Sequence, residues 1–206
     1  MADLIRWRST WYGLGVTAPD EGLYHELIGR YTEPHRRYHT TQHLDECFAR
    51  LDEARDLARH IHEVELALWF HDAVYGTRNS DNEEQSAEWA RIAVEQADLP
   101  GAVGARVHAL ILATKHDAEP TAGDAALLID VDLAILGAPA ERFDEYERQV
   151  REEYSWVPGF LFRRKRREIL TAFLARSHVY NTECFRVRYE AVARANLARS
   201  IERLGG

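Results

Sequence analysis

Apolar residues return every three or four positions through most of this chain, and any fold of it must bury that helical period. Leu44, Phe48, Leu51 and Ala58 follow steps of four, three and seven and lay one stripe along a helix. Val64, Ala67, Leu68 and His71 do the same in the next segment. Ser80 stands three residues before Glu83, a capping-box spacing that predicts a helix over Glu83–Ala97. Pro100 and Gly101 stop it and start another, with Val103, Val107, Leu110 and Ile111 as its buried face. Gly123 precedes a very apolar stretch, Ala125–Leu136, which Gly137 ends in the manner of a helix C′ glycine. A highly charged helix over Ala140–Glu153, a turn at Trp156–Gly159 and two helices over about Phe160–Ala175 and Thr182–Leu204 complete the chain. Leu127–Ile135 has the composition of a strand, but its helical neighbours and two interrupting aspartates make it a buried helix. The expectation is an all-α protein, one helical domain over residues 1–206 with a core at about 24–137 and a helical extension at about 139–204.

Composition narrows the function. Hydrophobic residues make up 46% and charged residues 29%, a balance that excludes disorder. A net charge of −8 argues against binding a nucleic-acid polymer, which needs a basic footprint. It does not oppose a small phosphate ester, because a metal and a few arginines can locally reverse a diffuse negative field. The run Arg163–Arg167 points in every direction on a helix and reads as a solvated face balancing Ala140–Glu153. Trp69, Trp89 and Trp156 read as core residues. Cys47 and Cys184 lie far apart without metal-ligand spacing and read as free, core-type thiols of a reducing compartment. No signal-like segment opens the chain and no apolar run nears the roughly 18 residues of a membrane span, so a cytoplasmic protein without a membrane partner is expected.

The chemistry concentrates in the histidines. Ten are present. His71 lies on the apolar face of its helix, beside Asp72, in Leu68-Trp69-Phe70-His71-Asp72. Such a pair is costly to bury unless both members are paired or bound to a cation. Adjacent helix positions diverge by about 100°, so the two can share a metal only near a helix end, and Gly76 supplies one. His39 and His43 are four apart, on one helical face, and His43 leads into the stripe that begins at Leu44. Asp130 and Asp132, in an apolar segment, call for a metal, a helix end or a buried arginine as partner.

His43, then His71-Asp72, then a distant Asp in an apolar helix resembles the H…HD…D pattern of HD-superfamily metal phosphohydrolases. The surrounding sequence looks like the bacterial family described as predicted metal-dependent HD phosphohydrolases. The similarity runs through Glu33-Pro34-His35-Arg36-Arg37-Tyr38-His39, Trp69–Tyr75, Ser80–Ala87 and Asp130–Gly137. It implies an HD-type helical bundle with additional C-terminal helices and a divalent ion (Mn, Fe, Co, Ni, Zn or Mg). The implied ligands are His43, His71, Asp72 and Asp132, the last chosen over Asp130 because Val131-Asp132-Leu133-Ala134 is nearest the family's final motif. Tyr38-His39-x-x-x-His43 is also similar to the metal-site motif of class I cyclic-nucleotide phosphodiesterases, with Thr40 in place of its Asn. That similarity implies His39 as general acid; a surface residue at a helix N-terminus is the plain alternative.

The same resemblance implies Glu83 as the group acting on the attacking water, although Glu is also what a capping box prefers there. His116 is a further catalytic or metal contact, and Arg36, Arg37 and Asn82 are the candidates for holding phosphate. The implied activity is hydrolysis of a small phosphate ester, a nucleotide or related phosphomonoester. An HD-fold di-iron oxygenase and a non-catalytic metal- or ligand-sensing module stay open beside it. The charged helix and the C-terminal helices offer a surface for a homodimer.

Overall fold

The structure, a computed structural model, describes residues 1–115 and 122–205. It is all-α, with no strand among the described residues. Among the described residues ten α-helices follow in order: α1 (Leu4–Gly13), α2 (Glu21–Tyr31), α3 (Thr41–Asp52), α4 (Ile61–Phe70), α5 (Asn82–Gln96), α6 (Gly101–Ala113), α7 (Gly123–Asp132), α8 (Ala140–Glu153), α9 (Gly159–Ala175) and α10 (Glu183–Gly205). Short 3₁₀ turns cover Arg55–Leu57 and Leu133–Gly137. The chain divides into two compact units, Met1–Val131 and Asp132–Gly206. No described helix is long and apolar enough to cross a membrane.

In the first unit α4 is the central element. Every residue from Glu63 to Phe70 is buried, and α1, α3, α5 and α6 all pack on it. A helix apolar on all sides has no face to offer water and becomes the core. Trp69 receives Trp7 edge-on at 5.3 Å and Phe48 at 4.9 Å; Phe70 receives Trp89 edge-on at 5.6 Å. Each fully buried large apolar side chain stabilises by roughly 1.5–3 kcal/mol, more than a typical net hydrogen bond. Apolar burial therefore sets where α4 lies, and polar contacts set how it is oriented.

The two buried acids of α4 are paired. Glu63 accepts from Arg106 at 2.6 and 2.7 Å. Glu65 accepts from Arg55 at 2.6 Å and Arg6 at 3.1 Å, with His62 Nδ1 at 2.9 Å. Arg6 and Arg55 also bind Asp52. Remote residues complete both ends of α4. At its N-terminus the Asp124 carboxylate accepts from the backbone N–H of Arg59 (2.7 Å) and His60 (3.0 Å). These bonds fasten the start of α7 to the start of α4.

Several local expectations are corrected. The stripe of α3 ends at Leu51, and Ala58 lies beyond the following 3₁₀ turn. The Ser80–Glu83 capping box does not form: Asp81 is the N-cap of α5 and makes no side-chain cap bond. Val103 is only partly covered, and Gly104 takes its place on the buried face of α6. Trp156 is half-exposed rather than core.

In the second unit α10 packs on α9 and on the 3₁₀ turn. Asn196 Nδ2 donates to the carbonyls of Leu136 and Ala138, both at 2.9 Å. Gly137 is the last residue of that turn and is not a left-handed C′ glycine. It is glycine because a Cβ there would stand 2.7 Å from Tyr189 Cβ and 3.0 Å from the Tyr189 carbonyl. Arg166 alone of the basic run is buried; its Nε donates to Glu147 of α8 at 3.1 Å. Arg163, Arg164, Lys165 and Arg167 are exposed.

Gly137→Ala is expected to destabilise by about 1–3 kcal/mol, the usual cost of overpacking. An unchanged denaturant midpoint would show that the turn relaxes freely. For Asp52, burial pushes the carboxyl up, but Arg6 and Arg55 outweigh it and hold it below its ordinary value. A depressed folded-state value stabilises above the unfolded value of about 3.9 and ceases to as pH falls through the folded value. Asp52→Asn should therefore lower the melting temperature at pH 7, with the difference shrinking on acidification. An equal difference at pH 3 and pH 7 would assign it to something other than charge.

Candidate metal centre

Three donors meet where α4 ends. His71, the C-cap of α4, and His43, on the first turn of α3, are both buried, and their Nε2 atoms lie 3.1 Å apart. Asp72 Oδ2 is 3.1 Å from His71 Nε2 and 3.5 Å from His43 Nε2. The helix stops at Phe70, ahead of Gly76, so Asp72 falls in the turn and swings onto the same side as His71. Position 71 points inward because it continues the core of α4. Position 43 does so because it precedes Leu44, Cys47 and Phe48 on the buried side of α3.

These separations fit a cation. Two nitrogens bound to one ion at about 2.05 Å stand about 2.9 Å apart at 90° and about 3.3 Å apart at the tetrahedral angle. The observed edges of 3.1, 3.1 and 3.5 Å lie in or near that range. The tautomer fits as well. The main-chain carbonyl of Leu68 lies 2.8 Å from His71 Nδ1 and takes its proton, which leaves a lone pair on Nε2 aimed at the triangle. Two imidazolium ions at 3.1 Å would repel; two neutral rings sharing a cation would not. Burial would raise the Asp72 carboxyl, but the positive charge that His71 first, then His39 and His43, carry when protonated holds it well below the usual carboxylate range, and a cation between the neutral rings would act in the same direction. The carboxylate is an anion ready to ligate.

A wider set of donors surrounds this triangle. Atoms of His43, Cys47, His71 and Asp132 all lie within 4.8 Å of one another and could hold a metal ion. Asp72 stands outside that mutually close set, although its Oδ2 is nearer to the two imidazole nitrogens than 4.8 Å; its 3.1 and 3.5 Å contacts are the more direct measure of a shared ion. Asp132 is the last residue of α7, and its carboxylate joins the set; that of Asp130, fully buried two residues earlier, does not. Cys47 is the residue that sequence reasoning missed. It is buried and free of any disulfide, and its Sγ lies 3.7 Å from both ring nitrogens of His43. Its signal was the four-residue step from His43, which puts it on the same helical face.

Arg36 holds the corner together. Its side chain is completely covered, and its guanidinium donates to the carbonyls of Asp72 (2.6 Å), Ala73 (3.0 Å) and His39 (3.2 Å) and to Glu33 (3.1 Å). The guanidinium is thus engaged with the protein itself and presents no face to a phosphate. Tyr31 accepts from Asp72 N at 3.3 Å and donates to the Trp69 carbonyl at 3.2 Å. Burial first, then the Asp72 carboxylate, pushes its phenol well above the ordinary value and keeps it neutral.

The remaining expected residues are placed as follows. His39 is half-buried, stacked on Tyr75 at 4.1 Å, with its ring centroid 6.0 Å from that of His43. Arg37 is exposed on the same loop and donates to the carbonyls of Pro34 and Arg36. Asn82 closes the loop after the corner: its Oδ1 accepts from Gly76 N and its Nδ2 donates to Gly76 O, both at 3.1 Å. Glu83 is half-exposed, and no hydrogen bond or ion pair among the described residues joins it to the cluster. His116 lies outside the described residues.

No protein-family model matches the chain, and comparison with curated proteins and with solved structures gives no match to either. The site is defined by its own geometry.

Arg36→Lys should loosen this corner, since an ammonium cannot reach three carbonyls in one plane. Divalent-metal affinity is expected to fall about 10–100-fold, as for other residues that orient ligands. Unchanged affinity by calorimetry would show that the corner stands without the clamp.

Proposed function

We propose that the protein is a metal-dependent phosphohydrolase of the HD type, acting on a small phosphate ester such as a nucleotide or related phosphomonoester. The observation that carries this reading is the triangle of buried His43 and His71 with half-buried Asp72, which Asp132 joins from α7. His43, His71 and Asp72 are the first three members of the H…HD…D order, and Asp132, the fourth, has its carboxylate within 4.8 Å of donor atoms of both histidines. A divalent ion there would polarise a phosphoryl oxygen and make a water nucleophilic near neutral pH.

The protein residues have the following roles in this reading. His43, His71, Asp72 and Asp132 hold the ion. Arg36 and Tyr31 fix the turn that carries Asp72. Asn82 ties the loop 76–82 and so sets the start of α5, from which Glu83 is the acceptor proposed for the proton of the attacking water. Water adds to phosphorus as the ester P–O bond breaks. His39, on the rim beside Asp72, gives its proton to the departing alkoxide oxygen. Its stacking on Tyr75 limits the ring's rotation and so maintains that aim. Arg37, exposed on the loop next to His39, is the cation proposed to meet the phosphate. Burial of His43 and His71 shields one side of the ion from bulk water, while half-buried Asp72 and Asp132 leave another side open to substrate.

The decisive test is a hydrolysis screen of the metal-stripped chain reloaded with Mn²⁺, Co²⁺, Ni²⁺, Zn²⁺ or Mg²⁺. An aryl phosphate, a bis-aryl phosphate and a nucleotide panel serve as substrates. Metal-dependent release is expected, and His71→Ala should lose bound metal and activity together. His39→Ala should retain stoichiometric metal while turnover falls by about 10²–10⁴-fold. Loss of metal in that variant would reassign His39 as a ligand. Silence across the panel with metal still bound would replace hydrolysis by sensing.

A further inference from the structure

Cys47 is unexplained as a packing residue. Small buried thiols usually fill space among hydrocarbons. This one is on the buried side of α3, yet its sulfur faces the imidazole of His43 and lies within 4.8 Å of donor atoms of His71 and Asp132. An apolar residue would fill that volume without setting a polarizable donor among three others.

The separation of Sγ from Nε2 suits ligation. A sulfur at about 2.3 Å and a nitrogen at about 2.05 Å from one ion stand about 3.6 Å apart at the tetrahedral angle. Sγ lies 3.7 Å from His43 Nε2 and equally 3.7 Å from Nδ1, beside the ring, so ligation calls for a turn of the short Cys47 side chain toward the Nε2 side, where the donors of His71 and Asp132 stand within 4.8 Å. The four-residue step from His43 to Cys47 is one helical turn, so a single rigid helix carries both donors. Neither donor needs a loop to close.

We propose that Cys47 is a thiolate ligand of the centre and that it sets the centre's metal preference, for zinc, ferrous iron or cobalt over magnesium and manganese. The proposal rests on the reading that His43 and His71 hold a divalent ion. It adds a sulfur donor to what would otherwise be a nitrogen and oxygen site. Thiolate favours borderline-soft cations, whereas magnesium takes oxygen ligands and keeps much of its water. With Asp72 and Asp132 alone the site would accept manganese or magnesium readily; with sulfur in the set, those ions lose a ligand that the softer ions keep.

The test is cobalt substitution of the whole chain, followed by absorbance. Visible bands report cobalt bound at the site, and a near-ultraviolet sulfur-to-cobalt charge-transfer band reports a Co–S bond. The wild type should show both. Cys47→Ser should keep the visible bands and lose the charge-transfer band, and Cys184→Ser should keep both. Zinc affinity of Cys47→Ser is expected to fall about 10–100-fold, with manganese affinity nearly unchanged. Visible bands without charge transfer in the wild type would overturn the proposal while leaving the metal centre in place, and need no variant to fold. A charge-transfer band that survives Cys47→Ser, or disappears with Cys184→Ser, would overturn it too. No cobalt bands at all would remove the metal centre itself.

Discussion

One buried guanidinium joins the parts of this site. Arg36 reaches from the loop before α3 to the turn after α4 and donates to carbonyls on both. Those carbonyls lie outside the helices, and inside a protein they cannot be left without partners. Answering them with one planar cation fixes the turn at Asp72 relative to the loop at His39. The ion pair with Glu33 balances the charge, and the rings of Tyr31 and Tyr75 lie 5.3 Å from the cation. The residue expected to hold substrate holds the protein's own backbone instead.

The rest of the centre follows from where α4 must go. Its sides are apolar, so it takes the middle of the first unit, and its last residues carry the core directly into His71. A histidine delivered this way is desolvated and has one nitrogen committed to Leu68 O, so its other nitrogen turns toward His43 Nε2 and Asp72 Oδ2. A shared proton or a metal suits that arrangement. His43 and Asp72 supply the same kind of pressure from two further directions, which is why three separately costly burials make sense only together.

The helices were legible where their period was long and uninterrupted. The expected bounds of α8, α9 and α10 fall within a residue of the observed ones because charged faces and flanking Pro or Gly mark them. The buried set His43 and His71 was legible from its place on apolar faces. What sequence could not show was partnership. Asn82 and Ser80 read as substrate and cap residues, but the loop bonds of Asn82 to Gly76 took over the start of α5. Gly137 read as a helix terminator, whereas its reason lies fifty residues on, at Tyr189. Cys47 read as filler because its spacing was sought against the other cysteine rather than against His43.

The capping of α4 has a consequence for how the chain acquires its site. One end of that helix is closed by Asp124 and the other by Arg36 and Tyr31, residues on opposite sides of it in sequence. Local hydrogen bonding can start α4, but neither terminus is satisfied until long stretches of chain on both sides have returned to it. Such closures are slow, because loop entropy must be surrendered before the contacts reward it. The start of α4 is therefore among the last features to be closed, and a nascent chain cannot close it until Asp124 has left the ribosome.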